Sequence, residues 1–361
     1  MNSSTSNSRF IDEATWRHFW HPVCTLQELY SADPTGNGPL QVRLLGNNLV
    51  VARLNGVVSA FDDRCVHRST SLSKGFIDEG KLRCRYHGWA YDDSGQCVDI
   101  PACRGMKIPT ATKIGKYDTQ VKYDLVWVRL ESRSETEIPS CPGFEDGDFK
   151  AVMGEPYTWA TSAARRLENF VDLAHLPYVH PNTLYDPSLT DITPPSIERR
   201  DGQLVFHFVP ESDDMPIPDV ALMGEIHYQV TMPFTVNLEF NLQTRVGRGN
   251  RASLWMSASP LDEAHCRSYW FTCRDHGEDE PDYPHVAFQE RVLKEDVDVI
   301  EAQDPPQIPF DASERSVPTD LVSMQYRRWL REIEAAVQDG SLMSTLNTDK
   351  PCSQGPSAAS A

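Results

Sequence analysis

Between Glu168 and Pro181 the chain reads Glu168-Asn169-Phe170-Val171-Asp172-Leu173-Ala174-His175-Leu176-Pro177-Tyr178-Val179-His180-Pro181, which puts two imidazoles, a carboxylate and an amide within a dozen positions. Arg165 to Leu176 contains no Pro or Gly and predicts a helix. On such a helix Asn169, Asp172 and His175 recur at intervals of three and line one face. Pro177 is expected to stop the helix, so that His180 falls in the following turn and can swing back beside His175. Two neutral imidazoles and one carboxylate make the facial triad of a non-heme ferrous site, with positions left open for dioxygen and substrate. The same residues read equally well as an ordinary helix with two histidines and a solvated aspartate, and this stretch alone does not choose between the two.

A second group of chemistry-bearing residues lies upstream. Cys65-Val66-His67 and Cys84-Arg85-Tyr86-His87 form C-x-H and C-x-x-H pairs separated by sixteen residues. Thiolates suit ferric iron bridged by sulfide, and two histidines in place of two cysteines on one iron define a Rieske-type [2Fe-2S] cluster of raised potential. The alternative is a zinc knuckle with two Cys and two His. Zinc sites space their ligands by two or more residues, so the single residue between Cys65 and His67 argues against it. Both pairs also sit at turn positions of a β-rich region, and Gly88-Trp89 follows the second.

The elements that must carry these residues divide into two parts. The 361 residues are enough for two domains with a real core in each. From residue 15 to 131, short apolar runs alternate with turn signals: a strand pair around Gly46-Asn47-Asn48, a hairpin signal at Asn55-Gly56 and a closing strand at Tyr123 to Leu130. That predicts a small all-β domain. Residues 132–150 are polar and turn-rich and are expected to form a linker. In residues 151–344, strands are expected at Leu204–Val209, Glu225–Met232, Thr235–Leu242, Ala252–Ser259 and Arg267–Cys273, with long helices at Pro284–Gln303 and Ser323–Gln338. This is an α+β layer arrangement, an antiparallel sheet with helices packed on it. Residues 1–14 and 345–361 read as a disordered leader and tail.

The net charge of -18 argues against nucleic-acid and anionic membrane partners. No apolar run approaches the length of a membrane span. The polar start lacks the apolar core of a signal peptide, and nine scattered cysteines fit a reducing cytoplasm with thiols free or on metal. His207, His227, His265, His276 and His285 have no partner at ligand spacing along the chain and read as surface or satisfied core residues. His18 and His21, among aromatic neighbours, read as packing.

The run Cys84-x-Tyr86-His87-Gly88-Trp89-x-Tyr91-Asp92, preceded by Cys65-x-His67, is similar to the Rieske domain of ring-hydroxylating and demethylating oxygenases. Followed by Asn169-x-x-Asp172-x-x-His175-x-x-x-x-His180, it resembles a complete oxygenase α-subunit over roughly Thr15 to Gln338. The resemblance implies an all-β Rieske domain followed by a helix-grip-like catalytic domain. It implies that Cys65, His67, Cys84 and His87 hold the cluster and that His175, His180 and a later carboxylate hold mononuclear Fe(II). That carboxylate is sought in Glu295-Asp296, with Glu301-Ala302-Gln303 after it. Asp296 is chosen, and Glu295 and Asp298 stay open as alternatives. Asp172, with Asn169 beside it, is then catalytic rather than a ligand: it bridges His175 to a Rieske histidine of a neighbouring subunit, His87. Gln289 and Leu293, seven and three residues before Asp296, share its helix face and are expected to face the substrate.

Narrower phrases carry the resemblance further. His18-Phe19-Trp20-His21-Pro22, Arg165-Arg166-Leu167-Glu168-Asn169-Phe170, His180-Pro181-Asn182-Thr183-Leu184-Tyr185-Asp186-Pro187 and Met232-Pro233-Phe234-Thr235 are similar to bacterial N-demethylases of caffeine and related methylxanthines. Ala287-Phe288-Gln289 with Leu293 and Glu295-Asp296 looks like the N3-acting branch. The segment Asp172–Tyr178 departs from the family's Phe- and Ser-rich version, and Asn182 stands where Gly is expected. The resemblance implies a monooxygenase that uses O2 to hydroxylate an N-methyl group, releasing formaldehyde. It implies a head-to-tail homotrimer or related hetero-oligomer. No Gly-rich dinucleotide fingerprint follows a strand, so a separate NAD(P)H-dependent reductase is expected to supply electrons. An O-demethylase or ring hydroxylase would use the same residues. A bare electron carrier would leave Asp172, His175, His180 and Asp296 unexplained.

Overall fold

The apolar run Leu49-Val50-Val51-Ala52 belongs to a strand buried on both faces, and the first unit of the fold is layered around it. The structure is a computed structural model describing residues 9–181, 183–209, 220–244, 249–277 and 279–351. It divides into two units, one made of Trp16–Ile138 with Ser259–Asp262 and the other of the remainder. The first unit carries β1 (His21–Thr25), β2 (Leu40–Leu44), β3 (Asn47–Leu54), β4 (Val57–Asp62), β5 (Phe76–Asp78), β6 (Lys81–Arg83), β7 (Ala90–Tyr91), β8 (Cys97–Asp99), β9 (Lys116–Lys122) and β10 (Leu125–Arg129). Their spatial orders are β1-β10-β9-β4-β3-β2 and β5-β6-β7-β8. The Asn55-Gly56 hairpin forms as predicted: both residues have positive φ, and Leu54 pairs with Val57. Val50, Ala52, Leu54 and Phe61 pack with Leu72, Leu82 and Tyr91 under the cysteine loops. Leu49, Val51 and Ala60 are buried too, the first two facing the opposite way, and all three pack with Val23, Leu29, Val126 and Val128.

His21 begins β1, is 2% exposed, and hydrogen-bonds through Nε2 to the Trp16 carbonyl at 2.9 Å. Burial drives its pKa down to about 4, against a smaller upward pull from that carbonyl. Below pH 6.5 the unfolded chain therefore binds a proton that the folded chain refuses. This contribution to stability is fully present above pH 6.5 and is lost as pH falls toward 4, by about 3 kcal/mol in total. Melting of wild type against His21→Gln should diverge above pH 6.5 and converge toward pH 4; a constant difference would count against burial as the cause.

The second unit carries β11 (Lys150–Met153), β12 (Tyr157–Trp159), β13 (Ile197–Arg200), β14 (Gln203–Phe208), β15 (Val220–Thr231), β16 (Thr235–Thr244), β17 (Gly249–Asp262), β18 (His265–Arg274) and β19 (Lys350–Pro351). One large sheet runs β11-β18-β17-β16-β15-β14-β13-β19, with β12 also paired to β18. Its helices are α2 (Pro142–Glu145), α3 (Ala163–Val171), α4 (Leu176–Val179), α5 (Tyr283–Glu301), α6 (Leu321–Asp339) and α7 (Leu342–Leu346), α1 (Leu26–Ser31) lying in the first unit. Alternation along β15 buries Ile226, Tyr228 and Val230 on one face of the sheet.

Three expectations are corrected. The helix foreseen over Arg165 to Leu176 ends at Val171. Asp172 is extended (φ −81°, ψ 119°), and its Oδ1 accepts the Ala174 N–H at 2.8 Å, a local turn that outcompetes the helix. Pro177 does not stop a helix but sits in the first turn of α4, where its missing N–H costs nothing. Asn169, Asp172 and His175 thus do not share one helix face. The terminal segments are also less loose than expected. Asp12 N–H donates to Glu334 at 2.9 Å, Ile11 is buried, and α7 and β19 lie within 345–351 or overlap it. Residues 1–8, Asn182 and 352–361 lie outside the described residues.

Candidate functional site

The break at Asp172 is what assembles the site. It lets α4 turn His180 back, so that the His175 and His180 rings stand 5.2 Å apart at 69°. Asp296, inward on α5 and 5% exposed, closes the group. Its Oδ1 lies 3.1 Å from His180 Nε2 and 3.6 Å from His175 Nε2. The three donor atoms all fall within 4.8 Å of one another. Burial lowers the His175 pKa more than Asp296 and Asp172 raise it, which favours the neutral imidazole, the form able to bind a metal. Burial alone would raise the Asp296 carboxyl. The His180 hydrogen bond and the charge of Arg166, with the two histidines, outweigh it and hold the pKa low. Asp298, the outer alternative, is exposed on the far side of α5.

Glu295 meets His180 on the ring nitrogen that faces away from Asp296. Its Oε2 lies 2.8 Å from His180 Nδ1, and its Oε1 accepts the Thr183 hydroxyl at 2.8 Å. A carboxylate on the outer nitrogen of a ligand histidine fixes its tautomer and ring direction. Asn169 is likewise oriented. Its Oδ1 accepts from Arg166 and its Nδ2 donates to Asp296 Oδ1 at 3.3 Å, so the amide braces the carboxylate. Arg166 is fully buried, donates to the Tyr157 hydroxyl at 2.7 Å and stacks 4.1 Å from the Trp159 ring. Asp172 Oδ2 stands 3.9 Å from His175 Nδ1, which is buried and without a hydrogen-bond partner.

Two cavities meet at this group. One is walled by Phe208, Ile226, Tyr228 and Leu254 and by Gln289 and Leu293 from α5. The seven- and three-residue spacing does bring Gln289, Leu293 and Asp296 to one wall. The other is polar and includes Asp172, Glu168, Glu314 and Arg327. Arg327 and Arg165 share the Glu314 carboxylate at 2.7 and 2.5 Å, tying α6 and α3 to the loop between them.

In the first unit the two Cys loops repeat one backbone design. Cys65 C=O accepts the Ser69 N–H and Cys84 C=O accepts the Gly88 N–H, each at 2.9 Å. Cys65 N–H donates to Thr70 C=O and Cys84 N–H to Trp89 C=O. Both turns need a left-handed residue, Ser69 (φ 59°) and Gly88 (φ 72°). The loops set His67 and His87 with ring centroids 4.5 Å apart, while Trp89 stacks on His67 at 4.4 Å. Cys65 Sγ is 3.1 Å from the Tyr91 hydroxyl, both cysteines are 2% exposed, and His67 Nδ1 is buried with no hydrogen-bond partner. A donor set of two thiols and two imidazoles with an orphaned buried nitrogen fits a cluster held by these four residues. The described cysteines are all free thiols.

Residues 19–113 match the Rieske [2Fe-2S] domain family, and residues 159–336 match the vanillate O-demethylase oxygenase C-terminal domain family. The methylxanthine N3-demethylase NdmB of Pseudomonas putida is 44% identical over 91% of this chain and 92% of its own. This chain is a Rieske oxygenase of the methylxanthine N-demethylase family. The N1-demethylase NdmA of the same species is 41% identical over 90% of this chain and 91% of its own. The structure of NdmA with caffeine, from P. putida CBB5, superposes with a TM-score of 0.89 at 38% identity, covering 95% of this chain and 98% of the other.

An oxygenase of this family carries a Rieske cluster and a mononuclear iron, uses O2, and draws electrons from a separate reductase. Sequence reasoning passed over Arg166, Thr183 and Tyr157, and weighed Glu295 only as a ligand. Arg166 was within reach, since it sits three residues before Asn169 on the same helix face. If Glu295 orients His180, Glu295→Gln should weaken Fe(II) binding about 10–100-fold without touching cluster content. Chelator competition reads the first and visible absorbance the second; unchanged affinity would count against the orienting role. Among the described residues no helix is long and apolar enough to cross a membrane.

Proposed function

We propose that this Rieske oxygenase removes an N-methyl group from a methylxanthine, with the N3-methyl as its target. The observation that carries this is the apolar pocket that ends on His175, His180 and Asp296 and presents the Gln289 amide from its α5 wall. Its aromatic and aliphatic walls suit a flat, uncharged heterocycle. An amide, able both to donate and to accept, suits ring nitrogens and carbonyls. The identity to an N3-demethylase over nearly the whole chain supports the choice of methyl group.

When bound, the cluster and the ferrous ion supply the electrons and the activation of O2 that turn the methyl C–H into a carbinolamine, which collapses to amine and formaldehyde. NAD(P)H, through the reductase, balances the second oxygen atom as water. The chain's part is placement. Cys65, His67, Cys84 and His87 hold the cluster, and His175, His180 and Asp296 hold the iron. Glu295 and Asn169, braced by Arg166, fix the ring and carboxylate directions. Leu293 and the aromatic wall exclude water, and Gln289 sets the heterocycle's orientation.

Asp172 is 41% exposed on the polar side of the site, and His87 is exposed in the first unit. That exposure supports a head-to-tail trimer, or a related hetero-oligomer, in which one subunit's His87 reaches a neighbour's Asp172. The test is turnover of a methylxanthine panel with an NAD(P)H-dependent reductase, following formaldehyde and O2 uptake. The expected result is one formaldehyde per N3-methyl lost; no formaldehyde across the panel would overturn the reading.

A further inference from the structure

A second pair of histidines, read from the linear chain as unpartnered, is brought together by the sheet. His207 on β14 and His227 on β15 are register partners, with ring centroids 4.3 Å apart at 86°. Glu225 is two residues before His227 and therefore on the same face. Its Oε1 lies 3.7 Å from His207 Nδ1 and its Oε2 lies 3.2 Å from His227 Nε2. One donor atom from each residue falls within 4.8 Å of the other two. A tetrahedral ion holding donors at 2.0–2.1 Å spaces them about 3.3–3.4 Å apart, so these side chains stand close to ligand spacing without an ion. Asn241 on β16 places its Nδ2 3.3 Å from His227 Nε2, so an ion bound at that nitrogen takes the place of the amide contact.

We propose that His207, Glu225 and His227 form a second metal site, on the outer face of the catalytic sheet, for a divalent late first-row ion of the zinc type. The donor set is chemically that of the iron site, two imidazoles and a carboxylate, but the setting is opposite. The iron group is buried, whereas these side chains are 47%, 45% and 33% exposed. With no cage to impose geometry, affinity follows the general order for nitrogen and oxygen donors, in which copper and zinc outrank ferrous iron. Water fills the remaining positions. The ion's consequence is mechanical. His207 lies between Phe206 and Phe208, and His227 between Ile226 and Tyr228. Phe208, Ile226 and Tyr228 line the substrate pocket. An ion across β14 and β15 therefore pins the outside of the strands whose inside walls that pocket.

The test uses the iron-loaded enzyme, titrated calorimetrically with Zn2+, alongside Glu225→Gln and the double variant His207→Ala/His227→Ala. Wild type should bind one more zinc per chain than the double variant and melt at a higher temperature when zinc is present. Glu225→Gln should bind more weakly than wild type and more tightly than the double variant. Iron content and cluster absorbance, measured before and after, should stay the same in all three. Identical isotherms for wild type and double variant would overturn the proposal, as would zinc uptake matched by release of iron. The readout does not depend on the substrate, so its failure is distinct from failure of the demethylase reading.

Discussion

Replacing His175 by alanine is expected to strip the mononuclear iron from the protein and leave the cluster in place. Wild type should carry roughly three irons and two acid-labile sulfides per chain, and the variant roughly two of each. His175 is one of three donors, and it belongs to the segment between α3 and α4 rather than to either helix. Among the described residues no nearby side chain is free to replace the lost nitrogen. Asp172 Oδ2 is 3.9 Å from the vacated position's outer side, on the wrong flank of the ring, and Glu295 is committed to His180 and Thr183. The cluster loops take their order from Ser69, Gly88, Trp89 and Tyr91, all residues of the first unit. Demethylation should fall below detection while the visible spectrum of the cluster survives. A variant that keeps the third iron would remove His175 from the ligand set.

The chemistry of this protein was more legible than its geometry. Cys65-x-His67 and Cys84-x-x-His87 are local, so spacing alone announced a cluster. The positions of Gln289, Leu293 and Asp296 were legible because an unbroken helix converts spacing into direction, and α5 runs unbroken from Tyr283 to Glu301. The same rule failed one stretch earlier. Asp172 satisfies Ala174 N–H with its own side chain, and no count of apolar periodicity registers that competition. Pro177 was read as a stop because proline ends helices from inside, yet it also begins them. Strands β11 and β13 escaped notice because they are four residues long and mixed in polarity, and sheet pairing rather than pattern holds them. Glu295 looked like a rival of Asp296 because neighbours on a helix point about 100° apart, and only the position of His180 shows that both can serve the same ring. His207 and His227 are twenty positions apart, and a ladder register is what makes them neighbours.

Asp172→Asn should keep both metal centres and lose coupled turnover. The substitution is nearly isosteric, and the local turn can survive it, since an amide oxygen accepts the Ala174 N–H as well as a carboxylate oxygen does. What changes is the other terminal atom. In the native chain it is an acceptor, 3.9 Å from His175 Nδ1, a buried nitrogen that has no hydrogen-bond partner. A small rotation closes that gap and gives His175 an acceptor for its outer N–H. With asparagine held by Ala174, the atom facing His175 becomes an NH2, a donor opposite a donor. The acceptor is lost on the iron side and the negative charge is lost on the exposed side, where the proposed neighbouring His87 would meet it. Iron and sulfide contents should match wild type. Reoxidation of the pre-reduced cluster in the presence of substrate and O2, followed by stopped-flow absorbance, should slow about 10–100-fold, as is usual when the outer partner of a ligand histidine is removed. The pair of measurements separates bridging from binding: a structural role for Asp172 would lower iron content along with the rate, and a wild-type rate would end the case for Asp172 as the path between the two centres.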